Sequence, residues 1–344
     1  MKAFVTGATG LLGGAIARRL AERGDEVVAL VRSRQKGADL LGDLPDGAVE
    51  FVQGDVRDPA GFRAKLAGVG AVFHTAAYFR EYYEPGDHSG ALEATNVVAV
   101  RELIKAADGA GVPVLVHTST IGVVGESADG APSDESTPPD ARALRNGYHA
   151  SKKRAEDAVR ELLADDAISI RIPIVLPGWL FGPADAAPTS SGKLVLDIAN
   201  GRLPAIPPGG NHATDARDVA AVAVAAADRA VSDPEASGRR YIAAAPWQPM
   251  ADIVAAFARA AGSKPPSVRL NPALALALAT ASQIQSRLTG RPALATRDGI
   301  RALIEPRRVT SDRAITELGA AFRPLADSAA DEIAWYRAHG RIAA

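Results

Sequence analysis

The run Thr6-Gly7-Ala8-Thr9-Gly10-Leu11-Leu12-Gly13 directly follows an apolar stretch, Lys2–Thr6, that reads as a buried strand. It opens Leu11–Arg23, a segment that suits a helix. The three spaced glycines divide the mechanical work: a tight turn, close approach of backbone to a ligand, and close packing of helix on strand. A helix that starts here presents free N–H groups and the positive end of its dipole, which together seat a phosphate. A glycine-rich turn alone is weak evidence. Here strand, loop, helix and a second strand at Glu26–Val31 fall in register, so the segment reads as a dinucleotide cradle formed by Thr6, Gly7, Thr9, Gly10, Leu11, Leu12 and Gly13.

Outward from this unit the pattern repeats. Apolar runs at Val49–Gln53, Ala71–Thr75, Val114–Ser119 and Ile168–Ile174 suit strands covered on both faces. The segments Pro59–Leu66, Leu92–Ala110 and Tyr148–Ala164 suit crossover helices. Strand, helix and strand repeated in order predict an α/β fold with a doubly wound parallel sheet of the Rossmann type. Beyond Pro177 the pattern loosens, and Pro183, Pro188, Pro204, Pro207 and Pro208 mark loops. Helices are expected at Ala216–Arg229, Met250–Ala261, Pro272–Leu288, Ala293–Leu303 and Leu325–His339, with a strand at Arg240–Ala244. Residues 1–176 are therefore expected to form the dinucleotide-binding domain, with 214–244 returning to it. Residues 177–344 are expected to form mainly a smaller, mostly helical substrate lobe.

Composition excludes several classes. The chain has 344 residues, 47% apolar and 23% charged, as an ordinary globular protein does. Its 39 basic and 40 acidic residues nearly cancel and no basic tract stands out, so no nucleic-acid partner is expected. The absence of cysteine excludes a disulfide framework, a thiolate metal site and a cysteine nucleophile. No metal is expected, and a cytoplasmic protein, monomer or homodimer, fits. Met1–Ala17 is apolar enough to imitate a signal peptide, but its glycines have the spacing of a phosphate loop. The Leu/Ala-rich Pro272–Ser282 is shorter than the ~20 residues a spanning helix needs. It reads as a packed helix rather than a membrane contact.

The second strand ends at Arg32, where an acid would bind the ribose of NAD. A cation there can stack on adenine and pair with a 2′-phosphate, and Arg34 and Lys36 add charge. NADP(H) is thus preferred, with NAD(H) possible. Asp55, followed by Val56, ends the third strand and offers a carboxylate to the adenine amino group. His74-Thr75-Ala76-Ala77 ends the fourth, where Thr75, Ala76 and Ala77 let the chain run close to the cofactor. Thr118 and Pro173, on the fifth and sixth strands, are expected to line the same cleft.

Tyr148-His149-Ala150-Ser151-Lys152 puts a phenol and an ammonium four residues apart, on one face of a helix. A free tyrosine, with a pKa of ~10, is a poor base at neutral pH, and a nearby ammonium favours its phenolate. Lys152 can also bind the nicotinamide ribose. At the end of the fifth strand, Thr120 or Ser119 supplies a hydroxyl for the substrate oxygen. The aromatic run Tyr78, Phe79, Tyr82 and Tyr83 and the later Trp179, Phe181 and Trp247 are candidate substrate walls or ordinary packing. His88 and His149 have no evident partner. Asp134–Thr137 are expected in a loop beside the substrate.

Together these residues resemble the short-chain dehydrogenase/reductase superfamily in its extended branch, and within it the dihydroflavonol 4-reductase-like group, which includes hopanoid-associated sugar epimerases. Stretches carrying the likeness include Leu30-Val31-Arg32, His74-Thr75-Ala76-Ala77, Gly182-Pro183 and Asp331-Glu332-Ile333-Ala334-Trp335-Tyr336. The resemblance implies NADP(H), a small-molecule carbonyl or alcohol substrate, and a catalytic set of Tyr148, Lys152, Thr120 or Ser119, and Asn96. Asn96 then holds a helix kink and a water linked to the lysine. Ile121-Gly122 stands where sugar dehydratases carry an acidic pair, and in Arg171-Ile172-Pro173-Ile174-Val175 apolar residues stand where nucleotide-sugar epimerases carry an asparagine. A reductase is therefore the leading expectation. An epimerase is the alternative, with Arg202, His212 and Arg217 as candidate diphosphate ligands, and a non-catalytic cofactor sensor is a third.

Overall fold

A computed structural model describes residues 1–79, 82, 86–289, 296–305 and 307–342. Along the chain, β1 (Lys2–Thr6), α1 (Leu11–Glu22), β2 (Glu26–Val31), α2 (Arg34–Leu41), β3 (Val49–Gln53) and β4 (Ala71–His74) come first. A short α3 (Ser89–Leu92) joins α4 (Ala99–Asp108) through a π-helical stretch at Glu93–Val98, and β5 (Leu115–Thr118), α5 (Gly147–Leu163) and β6 (Ile174–Pro177) follow. The remainder holds β7 (Trp179–Phe181), α6 (Ser190–Ala199), β8 (Gly210–Asn211), β9 (Ala213–Asp215), α7 (Ala216–Ser232), β10 (Arg240–Ala243) and β11 (Gln248–Pro249). Five helices close the chain: α8 (Met250–Ala261), α9 (Pro272–Thr289), α10 (Arg297–Ile304), α11 (Asp312–Leu318) and α12 (Leu325–Ala338).

The expected doubly wound sheet is present. Its order is β10-β6-β5-β4-β1-β2-β3, all parallel, so the winding reverses between β1 and β4. Side chains alternate along each strand. Phe4, Val28, Val72, Leu115 and Ile174 join the core under α4 and α5, whereas Val5, Ala29, Phe73, Val116 and Val175 join the core under α1 and α7. A third core, with Phe181, Val195, Ile253, Phe257, Ile333 and Tyr336, knits α6, α8 and α12 into the helical C-terminal region. β7 pairs with β9, and β8 with β11, as two small sheets beside it.

Several boundaries differ from expectation for local reasons. Pairing with β5 begins where Leu115 N donates to the Arg171 carbonyl at 2.9 Å. Pro173 has no N–H to give, so the regular strand is Ile174–Pro177 rather than Ile168–Ile174. The crossover expected at Pro59–Leu66 is two 3-10 turns, Pro59–Gly61 and Arg63–Leu66. The expected Leu92–Ala110 helix is interrupted by its π-helical segment. Helix α2, which the apolar spacing does not announce, is started by Ser33, whose hydroxyl accepts from Lys36 N at 3.4 Å. Of the helix expected at Ala293–Leu303, positions 293–295 lie outside the described residues, and α10 covers the rest. α9 forms as expected, but with Leu274, Leu278 and Ile284 exposed rather than packed.

Candidate active site

The reversal between β1 and β4 opens a crevice at their carboxyl ends, the position where this sheet type binds ligands. Gly7 has φ +70°, and a Cβ there would lie 2.7 Å from Thr75 Oγ1. A Cβ on Gly13 would lie 2.3 Å from the Gly7 carbonyl oxygen. Both positions therefore demand glycine. Thr75 donates to the Thr6 carbonyl at 2.7 Å, Ala76 N donates to Thr6 Oγ1 at 3.3 Å, and Thr6 Oγ1 meets His74 Nδ1 at 2.8 Å. These bonds fasten the glycine loop to the end of β4. No side chain caps α1 at Gly10, and its first turn holds no acid. The cradle thus fits the pyrophosphate of a dinucleotide.

At the next strand ends, Arg32 is exposed and carries no competing acid beside it in sequence. Asp55 grips the Arg57 guanidinium in a fork, with contacts of 3.0 and 2.6 Å, and this pairing holds its carboxyl at about 2. It is therefore an anion at neutral pH. Pro173 is placed differently from expectation. It precedes β6, and its carbonyl accepts His117 N within the ladder at 3.0 Å. The residue at the carboxyl end of β6 is Pro177, so the strand shift puts Pro173 before the strand and not at its carboxyl end. No asparagine stands at this end either.

Helix α5 starts on Asn146, whose side chain accepts from His149 N at 3.1 Å. Tyr148 falls in its first turn, half-buried, with its ring edge-on to Phe79 at 4.8 Å. One turn later Lys152 is 2% exposed, and Nζ donates to the Thr118 carbonyl at 2.8 Å. Burial pushes the ammonium down to about 8, and the Glu156 carboxylate opposes that shift. The buried imidazoles of His74 and His117 face the same cation and stack on each other at 5.8 Å. Burial, and then the Lys152 charge, drives His74 to about 3 and His117 well below its ordinary value, so both stay neutral.

Asn96 is buried in the π-helical stretch. It accepts Tyr78 N at 2.7 Å and donates to the Tyr78 carbonyl at 3.1 Å and to Ser151 Oγ at 3.0 Å. Ser151 in turn donates to the Tyr148 carbonyl at 2.7 Å. This chain ties the kink to the tyrosine's backbone. The two candidate hydroxyls diverge. Ser119 is buried and donates to Glu156 at 2.5 Å, while Thr120 is half-buried and accepts from Gly122 N at 3.1 Å.

Other candidates find partners elsewhere. His88 Nδ1 meets the Tyr78 hydroxyl at 2.8 Å, and His149 packs against Gly122. Tyr82 accepts Gly147 N at 3.0 Å and donates to Asp298 at 2.8 Å, linking the start of α5 to α10. Tyr83 lies outside the described residues. Phe181 belongs to the third core, Trp179 packs edge-on to it at 4.8 Å, and Trp247 stacks under Arg308. Glu135 accepts Ile242 N at 2.8 Å, which places the expected Asp134–Thr137 loop against β10. His212 is buried between the Ala245 and Arg307 carbonyls, Arg217 pairs with Asp215 and Asp331, and Arg202 pairs with Asp197. Sequence reasoning missed Glu156 and the buried histidine pair. The His74 and His117 strand-end positions were visible, but their adjacency appears only once β4 and β5 are neighbours.

A family model described as the NAD dependent epimerase/dehydratase family matches residues 3–242. Over its whole length the chain is similar to sterol demethylase protein B of Methylococcus capsulatus, with 32% identity across 99% of this chain and 100% of that protein. It is also similar to a candidate dihydroflavonol 4-reductase of Synechocystis, with 30% identity across 98% of this chain and 95% of that protein. The crystal structure of gox2253 matches with a TM-score of 0.81 and 33% identity, covering 99% of each chain. The glycine cradle, the tyrosine and lysine on α5 and these likenesses agree: the chain belongs to the NAD-dependent epimerase/dehydratase family and is an enzyme of the extended short-chain dehydrogenase/reductase type.

Proposed function

We propose that the enzyme is an NADP(H)-dependent oxidoreductase that interconverts a ketone or aldehyde with its alcohol. Tyr148 handles the proton, Lys152 is the cation beside it, Thr120 orients the substrate oxygen, and Asn96 is a positioning residue. The observation that carries this reading is the dry ammonium of Lys152 one helical turn from Tyr148. A cation so placed favours the phenolate of its neighbour. When bound, the dinucleotide supplies or takes up the hydride. In the reducing direction the Tyr148 hydroxyl gives its proton to the carbonyl oxygen and is left as phenolate, stabilised by Lys152. The Thr120 oxygen already accepts Gly122 N, so its own proton is available to the same substrate oxygen. The Ser119 proton is engaged by Glu156, which supports Thr120 over Ser119.

Arg32, exposed at the end of β2, supports NADP(H) over NAD(H) through its fit to a 2′-phosphate. The names of the two full-length relatives point to a sterol and a dihydroflavonol, and Phe79 lies against Tyr148. These support a substrate with an apolar ring skeleton. The epimerase reading would call on Arg202, His212 and Arg217 for a diphosphate, and all three are engaged by other groups.

Tyr148→Phe is the deciding variant. It is expected to bind NADPH as the parent does, and to lose about 100-fold or more in ketone-dependent NADPH consumption. NADPH should bind more tightly than NADH in the same titration. Near-normal turnover in the variant would remove Tyr148 from the chemistry. A parent that holds its nucleotide through purification and inverts a sugar without net NADPH consumption would favour the epimerase.

A further inference from the structure

Helix α9 packs small residues inward and large ones outward. Ala275 and Ala279 are 2% and 0% exposed, whereas Leu274, Leu278 and Ile284 are 46%, 51% and 54% exposed. A helix on a watery surface ordinarily does the reverse, because its large apolar side chains gain most from burial. At helical spacing, Ala273, Leu274, Ala277, Leu278, Ala281 and Ile284 share one outward arc with Gln285 alone as a polar member. No charged residue occurs from Pro272 to Ser286. The inward side rests on Ile300 of α10 through Ala275 and Ala279, so the outward arc is not needed to hold the helix in place.

The segment that carries this helix is basic in sequence. From Gly262 to Leu303 the sequence contains six basic residues, Lys264, Arg269, Arg287, Arg291, Arg297 and Arg301, against Asp298 as the one acid. The chain as a whole is nearly balanced, at 39 basic and 40 acidic residues, so this local excess is a feature of the segment. An exposed apolar arc in a segment with a net excess of basic residues suits a negatively charged lipid surface, which takes up apolar side chains at the headgroup boundary and attracts nearby cations. A second copy docked through the same arc would bring two basic segments together.

We propose that α9 is a docking surface for an anionic lipid bilayer, with Leu274, Leu278 and Ile284 entering the headgroup boundary and the exposed Lys264 and Arg269, which precede the helix, meeting acidic lipids. Among the described residues no helix is long and apolar enough to cross a membrane, so the contact is one of lying on the surface. The docked face adjoins the chemistry. α10, on which α9 rests, holds the Tyr82 hydroxyl through Asp298, and that hydroxyl receives the first-turn amide of α5. The proposal is independent of which carbonyl or sugar is transformed.

Co-sedimentation of the whole protein with vesicles tests it. The parent is expected to bind phosphatidylglycerol/phosphatidylcholine vesicles about ten-fold or more better than pure phosphatidylcholine vesicles, with binding reduced by salt. Leu274→Glu/Leu278→Glu should abolish this binding, whereas Val231→Glu, an exposed apolar site on α7, should not. Both sets of positions are exposed, and the lipid-charge and salt dependence of the parent reads the proposal without any variant. Failure of the parent to bind anionic vesicles would overturn it, as would binding that the double variant retains. A concentration-dependent dimer lost in the double variant, without vesicle binding, would make a second copy the occupant instead.

Discussion

Glu156 lies one turn beyond Lys152 on α5, fully buried, where it takes the Ser119 hydroxyl at 2.5 Å and the Arg240 guanidinium at 3.2 Å. It does two things for the proposed chemistry. By holding Ser119 it turns the strand end so that Thr120, the next residue, is the one left half-exposed. By its charge it offsets part of the burial that pushes the Lys152 ammonium down to about 8. Lys152 is charged below that value and neutral above it, so activity that needs the cation falls as pH rises through it. Glu156→Gln keeps an acceptor for Ser119 and removes the charge. The alkaline limb of kcat against pH should then move about one unit or more lower, with the neutral-pH KM little changed. A limb that stays put would reduce Glu156 to a packing role. Sequence could show Tyr148 and Lys152, because four-residue spacing on a helix fixes their common face. It could not show Glu156, since a carboxylate on a helix is ordinarily solvated and only the assembled sheet buries this one.

At the scale of elements, the phosphate loop was the most readable part of the chain because its glycines answer to backbone geometry alone. Gly13→Ala would drive a methyl group to within 2.3 Å of the Gly7 carbonyl oxygen. Relieving that overlap must shift backbone, at a cost of about 1–3 kcal/mol. NADPH affinity measured by titration should fall roughly ten-fold or more, and an affinity equal to the parent's would mean that the loop tolerates a side chain. The strands were legible where apolar runs are unbroken, as in β1, β2 and β4. The expected bounds of β6 differ from the observed ones because Pro173 breaks the ladder without breaking the apolar run, so Pro177 and not Pro173 ends the strand. The π-helical turn around Asn96 left no trace in the apolar spacing. It is held by the side chain's three bonds to Tyr78 and Ser151, which are long-range facts that spacing cannot reveal.

For the molecule as a whole, the C-terminal helices are tied to the elements around them at charged and polar points. Arg323 clamps Asp218 at 2.7 Å, buried Glu332 accepts Gly182 N at 2.8 Å, and Tyr82 bridges α5 and α10. Among the described residues four imidazoles, those of His74, His117, His149 and His212, have their pKa lowered chiefly by burial. Unfolded, each would titrate near 6.5. As pH falls below that value, the unfolded chain binds protons that the folded one refuses, so stability is lost on the acid side. The loss approaches about 1.4 kcal/mol per pH unit for each imidazole. Burial raises the carboxyl of Glu332, which works in the opposite sense. The paired carboxylates of Asp25 and Asp55 lie below the ordinary carboxylate value, so their contribution is lost at lower pH. The urea midpoint should therefore drop clearly between pH 7 and pH 5, and a flat midpoint would mean that these rings are wet. A dry imidazole pair beside Lys152 thus sets a floor of acidity under the fold, and mild souring of its surroundings would erode stability before the paired carboxylates of Asp25 and Asp55 had begun to titrate.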